Sequence, residues 1–328
     1  MLYIIKKDYF LAHYIIDALA SRSDIRVIDY VRCKPRGLRR VVQKVVKFLR
    51  AFPLNRRGVW TGWMFPRHFL QALGEIGPDD RVLLWGCENL KELLVLRREL
   101  PCPQVSAFLW NPVVTICRTR YSRWEYGHFL RKADMDVCTF DEGDARTYGF
   151  RPVPQVYRHP DASLMPSDEE RADGADIVFF GQDKHRSSLL ADIVRQCDEE
   201  GISHDFHILR DRHTTPHPTL AACYRDEALP YRDSLAKVAR AKAILEVVQQ
   251  GQQGMTLRTL EAVFLGKKLI TNNAAIEATP VYRKSNVYVL GREGGRSLRD
   301  FLHEPIEPLP EEVVHRHDVR SWIDQFTH

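Results

Sequence analysis

The feature that most constrains this chain is a pair of consecutive series in which short, near-continuous apolar runs alternate with stretches of helical periodicity. In the first series LYII (2–5), IRVIDYV (25–31), RVLLWG (81–86), QVSAFLW (104–110) and MDVCTF (135–140) read as strands, with helices over 9–20, 89–100 and about 123–132. In the second, DIVFFG (176–181), HDFHILR (204–210), AILEVV (243–248) and KKLITNN (267–273) read as strands, with helices over 187–201, 232–241 and 255–266. A strand that is apolar along its whole length is buried on both faces, which implies parallel sheets covered by helices on either side. The pattern therefore predicts an α/β protein of two Rossmann-like domains. Residues 151–175 carry four prolines and little periodicity, so they read as a linker or domain boundary. The predicted domains are 1–155 and 156–310, followed by a segment over 311–328.

At 328 residues, 44% hydrophobic and 28% charged, the chain has ample material for two cores, which excludes a disordered tail or a disulfide miniprotein. No window of about 18 consecutive apolar residues occurs, and the first twenty residues lack the form of a cleaved signal. Seven scattered cysteines with no CxxC pair suggest neither a zinc cage nor a disulfide framework, so a reducing cytoplasm is the expected setting.

The net charge of +5 hides an asymmetry: residues 1–150 hold 25 Lys and Arg against 16 Asp and Glu, and the remainder 23 against 27. Arg32 to Arg57 alone contains ten basic residues and no acidic one. Within it Val41, Val42, Val45, Val46 and Leu49 share one face of a predicted helix, opposite Arg39, Arg40, Lys44, Lys47 and Arg50. Such a helix lies on an anionic membrane surface, packs its apolar face on the domain, or binds nucleic acid. The first reading places Arg39, Arg40, Lys44 and Lys47 on the inner membrane as a peripheral contact. Nucleic acid is ranked last, because no recognition motif or aromatic stacking series accompanies the charge.

Ligands of open parallel sheets bind beyond the carboxyl ends of the strands, and anions settle on helix N-termini. QQGQQGMTLRTLE (249–261) has the right grammar: a glycine turn after a strand, then the free amides of Gly254, Met255 and Thr256 opening a helix. A phosphate fits there, with Arg258 one turn on and Glu261 two turns in, its carboxylate able to accept from ribose hydroxyls. A second element, Gly181-Gln-Asp-Lys184-His-Arg186, follows a strand and offers two cations for a diphosphate, although P-loop spacing is absent. The alternative for both is ordinary helix and turn grammar, with Gly266 a C-cap and the cations solvated.

The stretch Leu260, Glu261, Ala262, Gly266, Lys267 and Ile270 resembles the donor-binding element of GT-B glycosyltransferases, in which a glycine-rich turn leads into a helix of the form L-E-A-x-x-x-G-K-x-x-I. In the retaining GT-B families a second glutamate stands eight residues before the ribose-binding one. Gln253 holds that place here, so the paired pattern is incomplete and inverting and retaining outcomes both stay open. The resemblance implies a nucleotide-sugar donor held by Gly181, Lys184, Arg186, Gly254, Met255, Thr256, Arg258 and Glu261. It also implies that the two domains face a cleft, that 311–328 is a helix that returns to brace the first domain, a glycan or lipid-linked acceptor of bacterial surface-polysaccharide (lipopolysaccharide or capsule) synthesis on the first domain, and no cofactor.

For the acceptor side, Trp110 and Asn111 end a strand in the expected crevice. Candidates for the proton acceptor are Glu142, Asp144, His13 and Asp8, each near a strand end or helix start; Asp141 or Asp144 has the alternative role of helix N-cap. Thirteen histidines show no HExxH or comparable spacing, so no catalytic metal is expected. Two rivals to the transferase remain: a nucleotide-binding scaffold of glycan assembly without chemistry, consistent with Gln253, and a nucleic-acid-binding protein using 32–57.

Overall fold

The computed structural model describes residues 1–7, 9–31, 41, 45, 65–210, 215–248 and 254–327. Asp8, the cations Arg39, Arg40, Lys44 and Lys47, and the glycine turn before Gly254 lie outside the described residues. The chain divides into two compact units, with the boundary between Gln155 and Val156; Gly254 and the tail from Val319 group with the first.

The first unit is built on six parallel strands: β1 (Leu2–Lys7), β2 (Ile25–Tyr30), β3 (Arg81–Trp85), β4 (Gln104–Leu109), β5 (Asp136–Thr139) and β6 (Arg151–Pro152), in the order β2-β1-β3-β4-β5-β6. The apolar runs explain the middle of this sheet. Leu83, Leu84 and Trp85 of β3 and Ala107, Phe108 and Leu109 of β4 have no exposed surface, as strands covered on both faces require. Residues 151–175, read as a linker or domain boundary, contain the division between the units and also two ordered elements: Arg151–Pro152 adds β6 to the sheet edge, and Asp168–Ala172 forms a short helix behind a Ser167 and Glu170 capping box. Helix Arg120–Arg131 begins three residues before its predicted start, because Thr119 and Ser122 cap it reciprocally.

The second unit repeats the architecture with β7 (Ile177–Gln182), β8 (His204–Leu209), β9 (Tyr224–Arg225), β10 (Ala243–Glu246), β11 (Lys268–Thr271) and β12 (Val287–Val289). All are parallel, in the order β12-β11-β10-β7-β8-β9. Renumbered from its own first strand, that order is 3-2-1-4-5-6, the Rossmann arrangement, whose order reverses between β7 and β10. In the first unit the reversal falls between β1 and β3. Both units are thus Rossmann-like α/β domains. Their two cores are separate clusters, one around Leu84, Val95 and Leu109, the other around Ile177, Ile208 and Leu245.

The expected single carboxyl-terminal helix is instead two short helices, Glu311–His315 and Val319–Trp322, followed by a 3₁₀ turn, Ile323–Phe326. Between the first two, His317 O accepts from Tyr157 N at 2.8 Å, an extended-chain contact that a continuous helix forbids. The tail from Val319 is anchored in the first unit by Trp322. Its indole N–H donates to Pro154 O at 2.8 Å, and its ring lies 5.2 Å from Trp85 and 4.9 Å from Phe108 in edge-on contacts. Among the described residues no helix is long and apolar enough to cross a membrane. The six described cysteines are all free and buried.

Because Trp322 is 3% exposed and fills the face of the first sheet, Trp322→Ala should destabilise that unit by about 3–5 kcal/mol. Urea unfolding followed by far-ultraviolet circular dichroism measures this, and an unchanged midpoint would refute the anchoring role.

Candidate active site

The second unit's reversal point brings the carboxyl ends of β7 and β10 together, and the residues there are held by side chains rather than by strand pairing. Arg186 spans the gap: its Nε donates to Asp183 O at 3.1 Å, and its two terminal nitrogens donate to Val247 O and Gln182 O. Gly181 permits this close approach, since a Cβ there would sit 3.3 Å from Arg186 Nη2 and 3.1 Å from Phe179 Cζ. Asp183, 1% exposed, accepts from Tyr224 Oη at 2.6 Å and from Arg186 N at 3.2 Å. Burial lowers the Arg186 pKa, with Asp183 opposing. Each nitrogen of the Arg186 guanidinium, expected to serve a donor diphosphate, donates one bond to a backbone carbonyl, which leaves one N–H on each terminal nitrogen.

Lys184 stands differently. It and His185 both have positive φ, 45° and 63°, so two consecutive residues other than glycine occupy the left-handed region in this turn. Backbone strain of this kind concentrates at functional sites. The Lys184 side chain is exposed and makes no hydrogen bond or ion pair with any described residue.

Beyond β10, helix Leu257–Leu265 opens at Thr256, whose hydroxyl accepts from Arg258 N at 3.0 Å. The same hydroxyl donates to Glu246, the last residue of β10. Glu246 is 2% exposed and also accepts from Thr259 Oγ1 at 2.8 Å and Thr271 Oγ1 at 2.6 Å, so one carboxylate ties β10, β11 and the helix start together. Reading the sequence missed Glu246. Its signal was a lone acid at the end of an apolar strand, with threonines 10, 13 and 25 residues on.

Glu261 is a buried residue of the same helix. Its side chain has no exposed surface, and both oxygens are engaged: Tyr231 Oη donates to one at 2.8 Å and Arg258 pairs with the other. Tyr231 Oη lies 2.6 Å from Tyr157 Oη, extending the network. In this structure the carboxylate that was expected to meet ribose hydroxyls instead positions a cation. Burial alone would lower the Arg258 pKa, but Glu261 outweighs it and the net shift is upward. The second Arg258 nitrogen donates to Phe180 O at 3.1 Å, at the end of β7, and the side chain keeps about a quarter of its surface exposed. Gly254, Met255 and Thr256 are partly exposed at the helix entry, while Gly266 (φ 60°) ends the helix as the C-cap of the alternative reading.

In the first unit, the reversal point lies at the ends of β1 and β3. Sequence reasoning missed Glu88, which follows β3. One oxygen accepts from Asn111 N at 2.6 Å and Nδ2 at 3.1 Å, the other from Nδ2 at 2.9 Å. Burial raises the Glu88 pKa, and the Asn111 bonds oppose it. Trp110, beside it, packs at 6.4 Å from Tyr9 and 5.7 Å from Trp85. The predicted residues Trp110 and Asn111 therefore do meet at the crevice end of β4, around a carboxylate that was not singled out.

The other proton-acceptor candidates fare less well. Glu142 is 81% exposed and pairs with Arg146 at 3.6 Å on its own helix. Asp144 is buried and accepts from Val113 N at 2.6 Å, a structural bond, while Asp141 is the N-cap that accepts from Asp144 N. His13 Nδ1 lies 2.7 Å from Lys6 Nζ; an ammonium only donates, so this nitrogen's lone pair is already in use. Among the described residues no cluster of three or more His, Cys, Asp or Glu is arranged to hold a metal.

No family model matches the chain, and no curated protein sequence is similar to it. Solved structures are similar in fold. A trehalose-6-phosphate synthase, OtsA, superposes with a TM-score of 0.58 at 12% identity, covering 99% of this chain and 97% of that one. An α,α-trehalose-phosphate synthase (UDP-forming) from Burkholderia xenovorans in complex with glucose-6-phosphate gives 0.50 at 12%, covering 99% and 96%. An E. coli structure, described as trehalose-6-phosphate bound with UDP-2-fluoro glucose, gives 0.52 at 11%, covering 99% and 95%. The likeness is to the GT-B fold with its two Rossmann-like domains.

Two outcomes follow from the site chemistry. Removing one partner of a buried ion pair strands the other, so Glu261→Ala should cost about 3–5 kcal/mol while Glu261→Gln costs less; differential scanning calorimetry of both variants decides it. For Asp144, burial pushes the carboxyl up from 3.8 to about 6. The unfolded chain releases this proton first, so the group's contribution is whole below about pH 4 and lost as the pH rises to about 6. The stability difference between the wild type and Asp144→Asn should fall through that window, and a flat difference would contradict the shift.

Proposed function

We propose that this protein is a glycosyltransferase that moves a sugar from a nucleotide-sugar donor held by the second unit to an acceptor held by the first. The observation that carries the reading is the edge at the reversal point of the second sheet. There an unpartnered Lys184 in a strained turn, the amides opening helix Leu257–Leu265, and the part-exposed, anchored cation of Arg258 share the carboxyl ends of β7 and β10. The GT-B fold of nucleotide-sugar enzymes supports it.

In the proposed reaction the acceptor hydroxyl oxygen bonds to the anomeric carbon as the bond from that carbon to the donor phosphate breaks. The electron pair leaves with the nucleotide diphosphate. Lys184, Arg258 and the helix N-terminus stabilise that developing charge without a divalent metal. Glu88 takes the acceptor proton: its raised pKa makes it a stronger base than an ordinary carboxylate, and Asn111 fixes its orientation. Glu261 acts through Arg258, as a positioning residue. The acceptor class is taken to be a glycan or a sugar phosphate. A finer version has a lipid-linked acceptor of surface-polysaccharide synthesis and a cytoplasmic enzyme resting on the inner membrane through Arg39, Arg40, Lys44 and Lys47; its support is the charge of residues 32–57 alone.

Uridine diphosphate, binding only the native state, should raise the melting temperature in proportion to the logarithm of its concentration, and Lys184→Met should weaken that response. With a panel of nucleotide sugars and acceptors, nucleotide release should depend on acceptor. Glu88→Gln should lower kcat about 10²–10⁴-fold with the fold intact and abolish the rise of kcat with pH. Nucleotide binding without acceptor-dependent release from any donor would favour the non-catalytic scaffold instead.

A further inference from the structure

The second unit contains a cavity of about 150 Å³ that meets the site described above only at Thr259. Its wall is mostly apolar, with Ala262, Val263, Ile276, Val281 and Val287 among the lining residues. Lys267 also lines it. Lys267 directly precedes β11, and Val287 begins β12, so this end of the cavity lies at the amino edge of the sheet, opposite the carboxyl edge where the donor is placed.

The lysine is the unusual element. Its residue is 8% exposed, and its ammonium makes no hydrogen bond or ion pair with any described residue. Buried charges are ordinarily paired, because desolvation without compensation is costly. Here the acid and amide nearest along the wall are committed elsewhere. Glu307 pairs with Arg283 at 2.9 Å, and Asn286 exchanges two hydrogen bonds with the Glu307 backbone. Burial, and then repulsion from Arg171, push the lysine down to about 8, the direction expected of a cation without a counter-ion.

We propose that this cavity is a binding site for a small organic monoanion, a carboxylate with a compact apolar body, whose charge is met by Lys267 and whose body fills the apolar wall. The size fits: an apolar cavity of about 150 Å³ takes a molecule the size of benzene. A single lysine matches one negative charge. A phosphate dianion, more strongly hydrated and without an apolar body, would leave the wall empty and half its charge uncompensated. Nothing in this argument depends on the transferase reading.

Benzoate and its neutral counterpart benzamide test it on the full-length protein. Benzoate in the millimolar range should raise the melting temperature more than benzamide and should shift the methyl resonances of Ile276, Val281 and Val287. Saturating uridine diphosphate should not displace it. Lys267→Met, which keeps the volume and removes the charge, should weaken benzoate roughly tenfold or more while leaving benzamide unchanged. Equal responses to the two compounds, benzoate affinity unchanged in Lys267→Met, displacement by uridine diphosphate, or methyl shifts confined to residues away from the cavity would each overturn the assignment. Should Lys267→Met fail to fold, the comparison of the two compounds and the methyl map on the wild type decide it alone.

Discussion

Where two parallel strands part at a reversal of sheet order, their last carbonyls lose the neighbours that would have paired them, and a buried carbonyl without a donor is costly. Arg186 resolves that problem in the second unit by donating to Gln182, Asp183 and Val247. The rest of the edge depends on this. With the ends of β7 and β10 held apart at a fixed spacing, the turn carrying Lys184 and the entry to helix Leu257–Leu265 keep a defined geometry without ligand. A guanidinium suits the task because its planar fork presents several donors on a rigid frame, and losing mobility costs it less per bond formed than it would a lysine.

The two buried glutamates of this unit divide the remaining work. Glu246 is met by neutral hydroxyls from three threonines, so it orders the helix start without drawing a cation inward. Glu261, one helix face away, is met by Arg258 and Tyr231. Exchanging those partners would leave a cation locked against β10 and the helix entry without positive charge. Buried ion pairs contribute little net stability compared with apolar packing, so the value of the Arg258–Glu261 pair lies in where it leaves the arginine: anchored, partly exposed, and beside the carboxyl end of β7.

Much of the architecture was legible because parallel strands buried on both faces leave a sequence signal that does not depend on their partners. DIVFFG and AILEVV are apolar whichever strand lies beside them. The two-residue strands Arg151–Pro152 and Tyr224–Arg225 carry no such signal; they exist because a neighbour offers a free edge. The site was less legible for the same reason. Arg186 follows a strand and Glu261 lies within a helix, but their partners, Val247 at 61 residues and Tyr231 at 30, are brought in by the fold. A sequence window shows the charge of such residues and not whether that charge is already spent. Glu88 escaped notice in the opposite way. It reads as the acidic start of a helix, and only the pairing of β3 with β4 sets Asn111 against it.

Glu88 and Asp144 show how two carboxylates of one unit, both with raised pKa values, come to differ in chemical use. Asp144 is 8% exposed, and the Val113 N–H it accepts belongs to the neighbouring helix start. Removing it therefore disturbs the backbone before it affects any ligand. Glu88 is only partly buried, and three of the four acceptor directions of its carboxylate are filled from a single residue, Asn111, on an exposed loop. Glu88 stands where the order of the first sheet reverses. A proton acceptor needs both elevated basicity and access. Burial raises both carboxyls, but Asp144 is committed to the Val113 amide that opens the neighbouring helix, whereas Glu88 is held by Asn111 at the end of β4.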